Sequence, residues 1–416
     1  MELSNTSDPL EGDATIPEML RDHWGLDAGV TFLNHGSYGA CPTAVLEYQS
    51  ALRARLERQP VQFLGRDLEG LLDEAREALA AFVGAEPAGL AFVPNATTGV
   101  NAFLASFPLA AGAQVLTTDH AYNACRNALE AAAERAGSEV VIATVPFPCT
   151  GEDEVVQAVL AAVTPRTRLA LIDHVTSPTA LVLPIERIVR ELASRGVETI
   201  VDGAHAPGML DLDVRTVGAA GYAGNCHKWV CSPKGAGFLY VREDFRERVR
   251  PTVISHGANR RAQDRSRFHA EFDWTGTTDP TAYLSVPEAI RFMGSLLPGG
   301  WEEIRASNHE KAVAARRTLL ERLALPAPCP EAMLGSMAAI PLQADGESRL
   351  WTGFERDDLQ AALLEQFGIE VPVLWFGGGR RILRISAQVY NDASEYERLA
   401  DALVEVLSEA GNFRRG

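Results

Sequence analysis

From about Leu71 onward, short β-type runs alternate with helical patterns, and this rhythm constrains the fold more than any other feature of the chain. "LLDEAREALAAFVG" spaces apolar residues at helical intervals, and "LAFVP" after it reads as a strand. "NATTGVNAFLAS" then opens a helix, with Asn95 as its expected N-cap. Further strands are expected at "AQVLTT", "EVVIATV", "RLALIDHV", "ETIVDGAH" and "GAGFLYV", with helices such as "PIERIVRELASRG" between several of them. Alternation of this kind predicts an α/β fold with a mostly parallel sheet and helices on both faces. Ligand sites in such sheets lie outside the carboxyl ends of the strands.

After about Ser295 the pattern changes. The long amphipathic "GWEEIRASNHEKAVAARRTLLERLAL" leads into "AMLGSMAAIPL", then "DDLQAALLEQFG", "RRILRISAQ" and a terminal helix, "ASEYERLADALVEVL". This predicts a smaller α+β domain over 295–416, a large domain over 45–294 and an N-terminal arm, 1–44, joining the small domain and the active site. The 416 residues suffice for two such domains. A net charge of −17 argues against nucleic acid or an anionic membrane as the main partner. No apolar run approaches the roughly 20 residues of a membrane span. The first residues lack the basic-then-apolar pattern of a signal peptide. Six scattered cysteines read as reduced thiols of a cytoplasmic protein.

Several strand ends carry chemistry. In "ETIVDGAHAPG", Asp202 closes an apolar strand and His205 follows in a turn of small residues. A carboxylate there needs a cationic or donor partner, such as the protonated ring nitrogen of a cofactor; an Asp that merely caps the turn fits as well. "PNATTGVN" supplies small hydroxyl residues at a helix start, which makes an anion cradle but is also an ordinary cap. No GxGxxG occurs, which disfavours a Rossmann-type nicotinamide or flavin site. Tyr122 stands at the start of the next helix, where it suits ring stacking or core packing equally. Ser177 lies just past "LIDHV", within reach of a cofactor hydroxyl.

"AGNCHKWVCSPKGAGFLYV" places His227 and Lys228 between two cysteines among small and apolar residues. Cys226, His227 and Cys231 lack a second ligand pair at zinc-like spacing, so no metal is expected. A surface lysine is one reading. A lysine in a dry pocket, its pKa lowered for Schiff-base chemistry, fits better. An anion cradle, an aromatic, an Asp-x-x-His and a His-Lys, in that order, are the groups that pyridoxal 5′-phosphate (PLP) asks for.

With "FLNHGSYGACP", "FDWTGTTDPTAYLSVPEAI" and "LRISAQVYN" added, the sequence resembles the fold-type-I PLP enzymes of the class V aminotransferase family, and most of all their isopenicillin N epimerase-like branch. The resemblance spans about residues 30 to 392. It implies a three-layer, aspartate aminotransferase-like large domain and a PLP cofactor bonded to Lys228. Asp202 would pair with the ring nitrogen. Tyr122 would stack on the ring, where relatives often have His. Ala96, Thr97 and Thr98, with Asn225 and His227, would hold the phosphate, and His205 and Ser177 would contact the phenolic oxygen. Thr277 would reach the phosphate of a neighbouring subunit, which implies a homodimer. Arg384 would grip the substrate carboxylate, a task suited to a planar guanidinium; Arg381 would point to the opposite face of its strand. Asn34 and His35 would enter from the arm, either as part of a cover over the pocket or, for His35 or Tyr38, as a proton donor opposite Lys228.

Abstraction of a Cα proton by Lys228 leads to epimerisation, β-elimination or transamination. No cysteine lies between Cys329 and Arg384, which disfavours a persulfide-forming desulfurase. An epimerase or racemase is the first expectation and a C–S lyase the second, ahead of an aminotransferase. A non-catalytic PLP-binding regulator would need a further domain for which the chain has no room. "SHGANRRAQDRSRF" (255–268) reads as a lid, an acidic-group binder or a solvated loop.

Overall fold

A computed structural model describes residues 16–260, 265–342 and 357–409. Residues 1–15 of the expected arm, 261–264 of the arginine-rich segment, and 343–356 and 410–416 of the C-terminal region lie outside the described residues.

After a two-residue strand, β1 (Thr31–Phe32), the chain builds one seven-stranded sheet. Its strands are β2 (Leu90–Val93), β3 (Gln114–Thr118), β4 (Glu139–Ala143), β5 (Thr167–Asp173), β6 (Glu198–Gly203), β7 (Gly221–Asn225) and β8 (Gly237–Val241). They lie in the order β2-β8-β7-β6-β5-β3-β4. Pairing is parallel from β4 through β7, and β8 runs against both its neighbours.

The strands are apolar because both faces are covered. Leu169 and Leu171 of β5 join one apolar cluster with α1 (Ala96–Ser106) and α2 (Asn123–Ala136), while Ala170 and Ile172 join the cluster on the other face. This is the expected three-layer α/β arrangement. Strand β7, "GYAGN", lacks the β-branched run that would announce it. Its glycines are there for space: a Cβ on Gly221 would stand 2.7 Å from Ile200 and Phe103, and one on Gly224 would stand 2.5 Å from Phe238.

The C-terminal region forms a second sheet from β9 (Met337–Leu342), β11 (Val373–Phe376) and β12 (Arg380–Ser386), antiparallel in the order β11-β12-β9. Helices α3 (Gly300–Arg322) and α4 (Ala393–Glu409) pack together, and α3 lies on β9. Strand β10 (Ile369–Glu370) pairs in parallel with β1, which ties the arm to this region. Arg381 and Arg384 leave β12 on opposite faces, as expected: Arg381 pairs with the buried Asp357, while Arg384 reaches Ser177 beyond β5. All six cysteines are free and buried. No helix among the described residues is long and apolar enough to cross a membrane.

Candidate active site

Loops at the carboxyl ends of β2, β3, β5, β6 and β7 enclose a cavity of about 290 Å³, which Ser37 and Tyr38 of the arm help to line. Of the expected residues, Ala96, Thr97, Tyr122, Ser177, Asp202, His205, Asn225, His227 and Lys228 line it. Asn34, His35, Thr98, Thr277 and Arg384 do not.

Lys228 lies past β7, with its Nζ 3.2 Å from His205 Nε2. Burial, reinforced by the Arg384 cation, lowers its amine from 10.5 to about 7, against the opposing pull of Asp202. Burial and the neighbouring Lys228 hold His205 well below its ordinary value, so its imidazole is neutral. Trp229 Nε1–H donates to His205 Nδ1 at 3.5 Å. That bond assigns the imidazole proton to Nε2, facing the amine.

Asp202 accepts the Ala204 N–H at 3.0 Å and the Cys125 thiol. Beside it, at the same level of the sheet, Asp173 ends β5. The cradle starts at Asn95, whose Oδ1 accepts both the N–H of Thr98 (2.9 Å) and its hydroxyl (3.1 Å). Thr98 is therefore occupied in the cap and faces a neighbouring pocket. The Ala96 N–H donates to Asn225 Oδ1 at 2.8 Å. His227 Nδ1 bonds to the Ala236 carbonyl at 3.0 Å, and burial keeps this ring near 4 and neutral.

Arg384 stands just behind the cavity wall. Its guanidinium donates to the Ser177 carbonyl (2.7 Å) and hydroxyl (3.2 Å) and to the Ser37 hydroxyl (2.9 Å), while its buried Nε has no partner among the described residues. Both ring nitrogens of His35 are engaged within the protein. Its Nδ1 meets the Tyr390 hydroxyl at 2.8 Å, its Nε2 meets the Lys228 carbonyl at 3.0 Å, and burial drives it down to about 3. Asn34 donates to Glu370 and receives the Ser37 hydroxyl. Thr277 is exposed, away from this cavity.

Sequence reasoning missed Asp173 and Cys125. For Asp173 a signal existed, since "LALID" repeats the apolar-run-then-Asp pattern of "ETIVD".

The donor set suits PLP: a buried carboxylate for the ring nitrogen, an aromatic beside it, a helix start for the phosphate and a desolvated amine for the aldehyde. Two buried polar atoms at this site, Asp173 Oδ1 and Arg384 Nε, have no hydrogen-bond partner among the described residues. The three-layer fold and this strand-end chemistry define a PLP-dependent enzyme of fold type I. The family model for aminotransferase class-V matches residues 42–399, and the chain belongs to that family. Isopenicillin N epimerase of Amycolatopsis lactamdurans is 38% identical over 407 residues, covering 94% of this chain and 99% of the relative. A putative L-cysteine desulfhydrase of Oryza sativa subsp. japonica is 32% identical over 421 residues, covering 92% of this chain and 84% of the relative. Among solved structures, a mutant of C-DES with glycine covalently linked to its PLP cofactor matches with a TM-score of 0.78 at 22% identity, covering 92% of this chain and 99% of that one.

Proposed function

We propose that the protein is an amino-acid epimerase or racemase that moves the Cα proton of its substrate. The observation that carries this reading is the desolvated Lys228 amine, 3.2 Å from a neutral imidazole inside the cavity. Bound PLP supplies an electron sink that makes the Cα proton acidic. Lys228 Nζ takes that proton, and His205 holds the amine in place. Asp202 holds the ring nitrogen, Tyr122 covers the ring, and Thr97, Asn225 and His227 hold the phosphate. Arg384, whose guanidinium donates to Ser37 and Ser177 of the cavity lining, turns from these two serines into the cavity to meet the substrate carboxylate.

With His35 locked, Tyr38 is the arm residue proposed to return a proton to the opposite face. It is 73% exposed at the cavity and lies within electrostatic reach of Tyr122 and Arg384. In this reading the large domain (45–294) supplies the cofactor contacts, the small domain (295–416) supplies Arg384 and the arm (1–44) supplies the cover. We further propose a cytoplasmic homodimer in which the exposed Thr277 completes the partner's phosphate site.

Similarity to the isopenicillin N epimerase supports epimerisation. Among the described residues no cysteine lines the cavity, which supports setting aside sulfur transfer to a protein thiol. A β-eliminating C–S lyase is the second reading, favoured by the 32% identity to the L-cysteine desulfhydrase. NMR of the PLP-loaded protein in deuterated buffer separates the two, using a panel of L-amino acids and cysteine conjugates. Deuterium at Cα with the opposite enantiomer appearing is the expected result. Pyruvate, ammonia and a released sulfur compound would replace it with the lyase.

A further inference from the structure

Asp173 and Asp202 end adjacent parallel strands in register, so their side chains leave the sheet on the same face. They are 2% and 3% exposed. Asp173 Oδ2 accepts the Tyr122 backbone N–H at 3.2 Å, while its Oδ1 is buried without a hydrogen-bond partner among the described residues. Tyr122 is the N-cap residue of α2, and one turn further along that helix the Cys125 thiol contacts Asp202. Asp173 therefore sits between the group proposed to hold the ring nitrogen and the residue proposed to stack on the ring.

We propose that Asp173 is a positioning residue for the cofactor: it fixes Tyr122 against the ring and keeps a second negative charge away from Asp202. This rests on the cofactor arrangement given above. Two carboxylates side by side in a dry site do not both ionise. Burial raises both carboxyls, but Asp202 has the better donors, a backbone N–H and a thiol, with the Lys228 cation opposing the rise, so it is the one that carries the charge. Asp173 has one backbone N–H, and burial with the Asp202 charge pushes its carboxyl well above the ordinary range. Its proton belongs on Oδ1, the oxygen that accepts no bond. The charged or titratable groups around it are Asp202, Lys228 and Cys125, with the backbone of Tyr122.

A neutral acid is mimicked by an amide, whereas an anion is not. The test uses apoprotein of the wild type, Asp173→Asn and Asp173→Ser, each titrated with PLP. It reads the dissociation constant, the induced circular dichroism of the bound cofactor and the pH profile of its visible band. Asp173→Asn is expected to stay within about twofold of wild type in affinity, with an unmoved pH profile. Asp173→Ser orphans the Tyr122 N–H and is expected to weaken PLP about tenfold and diminish the induced signal. If Asp173→Ser does not fold, Asp173→Leu, which keeps the branched shape and cannot accept the N–H, takes its place. An Asn variant as weak as the Ser variant overturns the proposal, because Asp173 then acts as an anion. Wild-type behaviour of both also overturns it. Failure of the underlying site reading looks different: wild type would not bind PLP, or Lys228→Ala would keep the visible band of lysine-bound cofactor.

Discussion

Mixing apoprotein with PLP across a range of pH tests the Lys228 amine directly, because only a neutral amine attacks an aldehyde. A lysine with the ordinary value of 10.5 is neutral in about 0.3% of molecules at pH 8. Held at about 7, Lys228 is neutral in about nine-tenths of them, a roughly 300-fold larger reactive fraction. Capture should therefore speed up about tenfold per pH unit below pH 7 and level off above it. Burial is the first cause of the lowering and the Arg384 cation the second. Arg384→Met removes the second cause, so the bend should move to higher pH and capture at pH 7 should slow. Stopped-flow absorbance of the lysine-bound cofactor gives the rate, with far-ultraviolet circular dichroism to confirm folding. A wild-type rate that still climbs tenfold per unit near about pH 9 would refute a lysine desolvated by this pocket.

The same amine sets a pH dependence of apoprotein stability. Between about pH 7 and 10.5 the unfolded chain holds a proton that folded Lys228 does not. Stability therefore falls as pH drops through that window, by up to about 1.4 kcal/mol per unit, and this contribution flattens below about pH 7. Lys228→Met should remove that slope from urea midpoints measured at several pH values. Gly39 has φ +70°, and a Cβ there would stand 2.0 Å from the His227 carbonyl oxygen and 2.9 Å from Lys228 Cα. Gly39→Ala should displace the arm and weaken PLP retention, which gel filtration followed by cofactor absorbance measures; full retention would contradict that packing. Arg384→Lys keeps a charge but loses the fork that spans Ser37 and Ser177, so KM should rise about tenfold or more with a smaller change in kcat. A change confined to kcat would argue against carboxylate binding.

The parts of the fold legible in sequence are those where burial leaves a pattern. β5 and β6 are covered on both faces, so they read as unbroken apolar runs that end in Asp. β7 is buried just as completely but is made of "GYAGN", because Ile200 and Phe103 crowd the backbone at Gly221 and Phe238 crowds it at Gly224 too closely for side chains there. A strand defined by its neighbours' bulk carries no periodic signal of its own. β11 depends equally on its context: "VLWF" is short, and it becomes a strand by pairing with β12.

At the site, residue types were legible and directions were not. Thr97 and Thr98 are adjacent at a helix start, yet one lines the cavity and the other spends its N–H and hydroxyl on the Asn95 cap. That difference arises from about 100° of helical rotation, which a motif does not record. His35 shows the same limit over a longer range. In "LNHGSYG" it reads as part of a cover or, like Tyr38, as a proton donor, whereas Tyr390 and the Lys228 carbonyl, both far away in sequence, hold its two nitrogens. Ser37 and Tyr38, two and three residues on, are the arm side chains at the cavity. Asp173 is the converse case: an acid buried beside another acid gains its meaning only when register sets the two carboxyl groups side by side. From sequence it is one more strand end. In the fold, under the arrangement proposed above, it is the neighbour that sets whether Asp202 would meet a ring nitrogen as a lone charge or as half of a repelling pair.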